Sequence, residues 1–389
     1  MKKLLVVLLT AMCLLSLSAC GGQSSSGAND DGTITIKLGG SGPLSGDAKA
    51  YGIAVRNAAM LAVEEINNSD SKIKFEFNMQ DDEHDAEKAV SAYSVLYDWG
   101  MQVSLFTVTS GPGAAVAKNY DEDRIFALTP SGSSTDLIYT DSQNFKGNFQ
   151  MCFTDPNQGV ASADYIAENF KDAKVGIIYT SDDVYSVGIY EKFLSEAKEK
   201  GVNVVYKDGA FTSESATDFS TQLTSAKLAG ADLLFMPIYY QPASNILDQA
   251  SDMGYAPAFF GVDGMDGILE LEGFNTSLAE GVYLLTPFSA TSTDDLTVHF
   301  VEAYKNKYSE VPNQFAADGY DCVYAIHQAL ENIGVDENYD YDNIYDDMIE
   351  QFTSMTFNGL TGKSMTWSEN GEIKKAPEAF VIKDGVYVK

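Results

Sequence analysis

Positive charge is what this chain has least of. Its 389 residues include 25 Lys and Arg against 56 Asp and Glu, a formal net charge of −31. So acidic a chain repels phosphate backbones and anionic headgroups, which argues against nucleic acid or a lipid surface as its partner. Solubility explains the acidity without any ligand. Histidine is scarcer still: His84, His299 and His327 lie far apart, the last two on helical patterns, so neither a histidine metal site nor a cofactor is expected. No G-x-S-x-G elbow occurs, which leaves a hydrolase triad little support. After the first twenty residues no apolar run is long enough to cross a bilayer. Beyond Cys20 the only cysteines are Cys152 and Cys322, without metal-ligand spacing around them. They form either one bridge or two buried thiols, and free thiols are the favoured reading.

The N-terminus is rich in what the rest lacks. Lys2 and Lys3 precede an apolar stretch from Leu4 to Leu15, and Leu17-Ser18-Ala19-Cys20 follows. The pattern is that of a secretory leader, too short and too asymmetrically flanked to be a spanning helix. The LSAC ending matches the lipobox of bacterial lipoproteins; an ordinary secretory signal with a chance cysteine is the alternative. Residues 1–19 are thus expected to be a signal peptide, with Cys20 acylated and the protein held outside the cytoplasm on a bacterial cell membrane. Residues 20–32 are Gly/Ser-rich and read as a flexible leash.

From Thr33 strand-like and helix-like segments alternate. Strands are expected at 33–38, 72–80, 103–108 and 125–128, with helices at 51–67, 85–99 and 114–120. The pattern then starts again, with strands at 174–179, 202–211, 233–237 and 259–262 and helices at 185–200, 218–229 and 242–253. Such alternation implies parallel sheets covered on both faces. The predicted fold is α/β, two doubly wound lobes in tandem. Extended stretches at 149–156 and 281–287 are expected to pass between lobes. Helices at 293–308, 315–332 and 343–351 and a final hairpin around Asn370-Gly371 and Asp384-Gly385 remain to be shared out. The expected division is 33–151 plus 287–362 for the first lobe and 152–286 plus 363–389 for the second.

In doubly wound sheets ligands bind beyond the carboxyl ends of the strands. The loops there are SGPLSGDAKAYG, TSGPG, TPSGSSTDL, TSDDVYSVG, YYQP and VDGMDG. The third, Thr129 to Leu137, offers hydroxyls, a glycine and an expected helix start at Thr135 or Asp136, a cradle for a carboxylate that needs no Lys or Arg. Asp263, in the last loop, is the acid best placed to pair with a cation. Hydroxyls for a carboxylate, one acid for an ammonium and tyrosines for the apolar remainder suit a zwitterion. Taken singly, each loop is explained by turn geometry alone.

The order of these loops, with DDEHDAEKAV, FTDPNQG, DFSTQLT, FVEAYKNKY and FNGLTG between and after them, resembles the leucine/isoleucine/valine-binding family, type I periplasmic solute-binding proteins of ABC importers. The resemblance covers essentially the whole chain after the leash, and implies a type I fold with three crossing strands. By it, Ser110 matches the carboxylate-binding serine and Ser133 a hydroxyl-bearing threonine, with main-chain contacts from Ser131 and Gly132. Asp263 stands where the family holds the ligand's ammonium, often with Glu. Tyr51, Tyr185 and Tyr240 match cleft-lining aromatics. The family's type member has a disulfide near the site; here those positions are His84 and about Thr109. The implied partners are a small amino acid, branched-chain aliphatic first, and a permease heterodimer with its ATPases, served by a monomer that closes by hinge motion. A secreted α/β enzyme acting on a small acid and a sensory receptor are the alternatives.

Three further motifs are weaker. GlyLeuThrGlyLysSer at 359–364 lacks the first glycine and the strand–helix setting of a phosphate loop. The acidic run from Asp336 has Tyr341 where a calcium loop requires glycine and Asp347 in place of its bidentate Glu. Asp81-Asp82-Glu83-His84-Asp85 points successive side chains in different directions.

Overall fold

The computed structural model describes residues 32–389. The expected signal peptide, Cys20 and the leash up to Asp31 lie outside the described residues. The first sheet is built from β1 (Ile34–Gly42), β2 (Ile73–Asp81), β3 (Val103–Thr107), β4 (Phe126–Thr129) and, after a small hairpin of β5 (Tyr139–Thr140) and β6 (Gln143–Asn144), β7 (Asn148–Gln150). Its order is β2-β1-β3-β4-β7, every pair parallel. All five residues of β3 and all four of β4 are buried, as strands covered on both faces must be. The connections are α1 (Lys49–Asn68), α2 (Ala86–Trp99) and α3 (Ser110–Glu122). Helix α2 shows why these segments start and stop where they do. The Asp85 side chain accepts the Lys88 N–H at its start, and Gly100 ends it at φ +87.

The second unit runs α4 (Asp155–Asn169), β8 (Lys174–Thr180), α5 (Val184–Lys200), β9 (Asn203–Phe211), α6 (Ser220–Leu228), β10 (Leu233–Met236), α7 (Tyr240–Asp252), β11 (Ala258–Gly261) and β12 (Tyr283–Thr286). The chain then returns to the first lobe as α8 (Asp295–Tyr308), α9 (Gln314–Ile333) and α10 (Ile344–Ser354). Helix α9 lies so close to α1 that a Cβ on Gly319 would come within 3.0 Å of the Val55 carbonyl oxygen. Phe352 of α10 packs on Phe126 and Phe149. Finally β13 (Glu378–Lys383) and β14 (Val386–Val388) extend the second sheet, whose order is β14-β13-β12-β11-β10-β8-β9. Strands β8 to β12 are parallel, and the last two run antiparallel.

The chain thus passes between the sheets three times. The extended stretches at 149–156 and 281–287 lead into two of these passages, their strand parts being β7 of the first sheet and β12 of the second. One expectation needs correcting. The supposed final hairpin is two features. Gly371, at φ +81, turns a bridge between Trp367 and Ile373 against β7, and Asp384-Gly385 turns β13 into β14.

Lys375, on the third passage, joins these crossings. Its Nζ donates to the Met151 carbonyl at 3.0 Å, to Asp318 Oδ1 at 2.8 Å and to Thr361 Oγ1 at 2.6 Å. Both charged side chains are 3% exposed. Burial pushes the Asp318 carboxyl up to about 7, against the pull of Lys375. Cys152 and Cys322 are both free and buried, and burial raises both thiols.

Candidate functional site in the interlobe cleft

The strand ends of the two sheets face each other across a cavity of about 10 Å³, lined from the first lobe by Tyr51, Ser110 and Ser131 and from the second by Tyr185, Tyr239 and Asp263. That is room for about one water, so anything larger would enter only with the lobes apart.

On the first-lobe side Ser110 is the first residue of α3, four residues earlier than the helix was expected. Its Oγ accepts the N–H groups of Ser133 and Ser134, each at 3.1 Å, which leaves its proton to donate elsewhere. The helix N-terminus at the site is therefore that of α3. The helix expected from Thr135 or Asp136 is one 3-10 turn, Thr135–Leu137, capped by Ser134, too short to sum a dipole. Ser131 Oγ donates to the Val108 carbonyl at 2.6 Å. Thr129 Oγ1 donates to Thr107 O at 2.6 Å and accepts the Gly132 N–H at 2.8 Å.

On the second-lobe side Tyr185 opens α5 beside its cap, Asp183. The Tyr185 hydroxyl donates to Asp263 Oδ1 at 2.6 Å and accepts the Gly264 N–H at 2.9 Å. The Asp263 N–H donates to Gln158 Oε1 at 3.1 Å. Burial pushes the Asp263 carboxyl up to about 6, with Tyr185 and Gln158 acting in the opposite sense. Gly264 must be glycine: a Cβ there would stand 2.6 Å from Tyr185 Oη. The lobes meet through Tyr51, whose hydroxyl donates to Gly264 O and accepts the Tyr240 N–H at 3.2 Å.

Hydroxyl donors at a helix start therefore face one carboxylate across a ring-walled space. The sequence model of the periplasmic binding protein family matches residues 35–385. The chain belongs to that family. The leucine-, isoleucine-, valine-, threonine-, and alanine-binding protein of Pseudomonas aeruginosa is 24% identical over 342 residues, 87% of each chain. A leucine binding protein from Thermotoga maritima superposes with a TM-score of 0.80 at 25% identity, covering 91% of this chain and 97% of that one. The branched-chain amino acid transporter substrate binding protein of Streptococcus pneumoniae, solved in complex with isoleucine, gives 0.79 at 27% identity, covering 91% and 98%. The two lobes and their parallel sheets are those of a type I periplasmic binding protein.

Within this family member the expected site residues divide. Tyr51, Ser110, Ser131, Tyr185 and Asp263 come together around the cavity. Tyr240 does not. Its hydroxyl donates to Asp47 O at 2.7 Å in the seam between lobes, and its neighbour Tyr239 takes the cavity wall, stacked on Tyr185 at 4.8 Å and 8°. Gly132 is engaged within its lobe: its N–H goes to Thr129 and its carbonyl accepts Gln150 Nε2 at 2.8 Å, while a Cβ would meet Leu137 at 2.5 Å. Ser133 is fully buried beside the cavity, and its Oγ has no partner.

Sequence reasoning missed Tyr239 and Phe315, whose ring centre lies 4.5 Å from that of Tyr51 with the planes tilted by 60°. The adjacent tyrosines ahead of Pro242 were a signal for the first; nothing local marked the second. His84 forms a hydrogen bond from Nδ1 to Thr109 Oγ1 at 3.0 Å and sets its ring edge-on to Tyr239. Burial lowers its pKa. Among the described residues no cluster of three or more His, Cys, Asp or Glu is arranged to hold a metal ion. The acidic run at 81–85 caps turns instead: Asp81 accepts Leu44 N–H, Asp82 accepts the Ser41 hydroxyl, and Asp85 starts α2.

Proposed function

We propose that this protein is the extracytoplasmic solute-binding component of an ABC importer and that it takes a small amino acid, branched-chain aliphatic first, between its lobes. The observation that carries the proposal is Asp263 facing Ser110 across a closed space walled by Tyr51, Tyr185 and Tyr239. The ligand's carboxylate accepts from the Ser110 hydroxyl and the α3 N-terminus, near Ser131 and Ser133. Its ammonium donates to Asp263, and its apolar chain lies among the rings. The first lobe binds first, and the second closes over the ligand with Tyr185 and Asp263. Relatives named for leucine, isoleucine and valine support the ligand class. These groups hold a zwitterion rather than transform it, so no turnover is proposed. A permease heterodimer with its ATPases reads closure, and a monomer anchored through acylated Cys20 presents it.

Isothermal calorimetry of the full chain with leucine, isoleucine and valine tests this reading: saturable heat for at least one is expected. No heat for any of the three overturns the ligand class, and a chemically altered ligand after incubation overturns the binding role. Cys20→Ala is expected to move the protein from the membrane fraction to the soluble fraction of its own cell.

A further inference from the structure

The loop that carries Asp263 is gripped a second time, away from the cavity. Asp266, three residues on, is 1% exposed, and its carboxylate accepts from both sides of the cleft. From its own lobe the Tyr387 hydroxyl, on β14, donates to Oδ1 at 2.6 Å. From the first lobe the Gln314 N–H, the first of α9, donates to Oδ2 at 3.0 Å. The Gln314 side chain reaches the same loop, its Nε2 donating to Asp263 O at 3.0 Å. Gln314 is 2% exposed, and neither it nor Asp266 lines the cavity.

The pairing suits the charges. An N–H at the start of a 20-residue helix has no partner within the helix and stands at the positive end of its dipole, where a carboxylate is the best acceptor. Asn313 caps the same start by accepting the Ala316 N–H at 3.1 Å, which leaves the Gln314 N–H to the other lobe. Burial pushes the Asp266 carboxyl up, and the bonds from Tyr387 and Gln314 pull it back. Each partner is committed to its own lobe. Helix α9 is packed on α1 through Gly319 and Val55, and the loop runs between β11 and β12 of the second sheet.

We propose that Asp266 and Gln314 form the latch of the closed protein, positioning residues that hold the lobes together through a contact no ligand touches. This rests on the amino-acid reading above and on the hinge closure it includes. Parting the lobes carries α9 one way and the loop the other, and returns the Asp266 carboxylate and both Gln314 donors to water. The latch therefore forms after a ligand has docked, and it acts on departure rather than arrival. It also sets two cavity walls from opposite lobes against each other, Phe315 beside Gln314 and Asp263 beneath its amide.

Stopped-flow fluorescence of the full chain with leucine, isoleucine and valine tests the latch. Asp266→Asn is expected to release whichever of them wild type binds about tenfold faster, to leave association within about twofold, and to keep their order of preference. Gln314→Ala keeps the main-chain bond and is expected to speed release by a smaller factor. It carries the test if thermal unfolding shows that Asp266→Asn does not fold. A folded variant that releases at the wild-type rate, changes association alone or reorders the ligands overturns the latch and leaves the amino-acid reading standing. Wild type that binds none of the three overturns that reading, and the latch falls with it.

Discussion

The two faces of the cleft handle polarity in opposite ways. On the first-lobe face the hydroxyls of Ser110, Ser131 and Thr129 are tied to backbone groups of their own lobe. That face keeps its shape whether or not the lobes meet. On the second-lobe face the polarity is charge: Asp263 is held by a single phenol, and Asp155 is held by none. Burying those carboxylates is unfavourable by itself. On the proposed reading, one face is a ready receptor for a carboxylate and the other is relieved by a cation against it, so closure would be biased toward the liganded state.

The largest way to break this contrast is Asp263→Ala. It is expected to reduce amino-acid affinity about tenfold or more, the roughly 1.5–3 kcal/mol of a charge-assisted hydrogen bond, in calorimetry. Folding stability should hold, because a costly buried charge goes with it. Ser110→Ala should do the reverse on the other face. It strands the buried N–H groups of Ser133 and Ser134, so urea unfolding should show a loss of about 1–3 kcal/mol, with affinity falling too. Equal stability effects from the two substitutions would erase the distinction.

Acidity should separate the faces more gently. Asp263 titrates near 6 in the closed protein, above the ordinary value of about 3.9. Between these values the folded state binds the extra proton. This group's contribution to stability is therefore greatest below the window and declines as pH rises through it. Ligand affinity should run the other way, falling as pH drops below about 6 because a neutral carboxyl holds an ammonium poorly. Asp82 and Asp183, also pushed to about 6, join the stability trend but do not line the cavity. Calorimetry and thermal unfolding at neutral pH and at about pH 5 check both signs, and Asp263→Asn should flatten the affinity trend and leave only the part of the stability trend that Asp82 and Asp183 contribute. Smallest is Tyr240→Phe, which removes a seam contact to Asp47 and should speed ligand release a few-fold, about 0.5–1.5 kcal/mol, in stopped-flow fluorescence.

Strand–helix alternation made the lobes legible, because burial on both faces writes itself into runs such as Val103 to Thr107. Asp263 was picked out by its place in a loop at a strand end and Ser110 by the family resemblance, and both line the cavity. What stayed hidden depended on rotation or on distance along the chain. Tyr239 and Tyr240 differ by one step at the start of α7, and only the packed helix decides which ring faces the cavity. Phe315 reaches the site on a helix that follows β12 and α8, outside the strand–helix repeat that marked the strand-end loops. Asp155 carried no signal, since nothing in FTDPNQG reveals that its side chain meets no donor. The helix predicted from Thr135 failed because the segment turns into the β5–β6 hairpin after one turn.

The buried pair of Lys375 and Asp318 has a consequence in time. Asp318 sits on α9 in the first lobe, but its one ion-pair partner among the described residues, Lys375, arrives with the third passage and the strands β13 and β14 that follow it. A nascent protein without them holds an acid that cannot be buried favourably, and its Met151 and Thr361 lack their shared donor. The first lobe, though begun at the N-terminus, is thus the one that waits. A first lobe whose buried acid is matched only from the third passage cannot lock before the second lobe has been made.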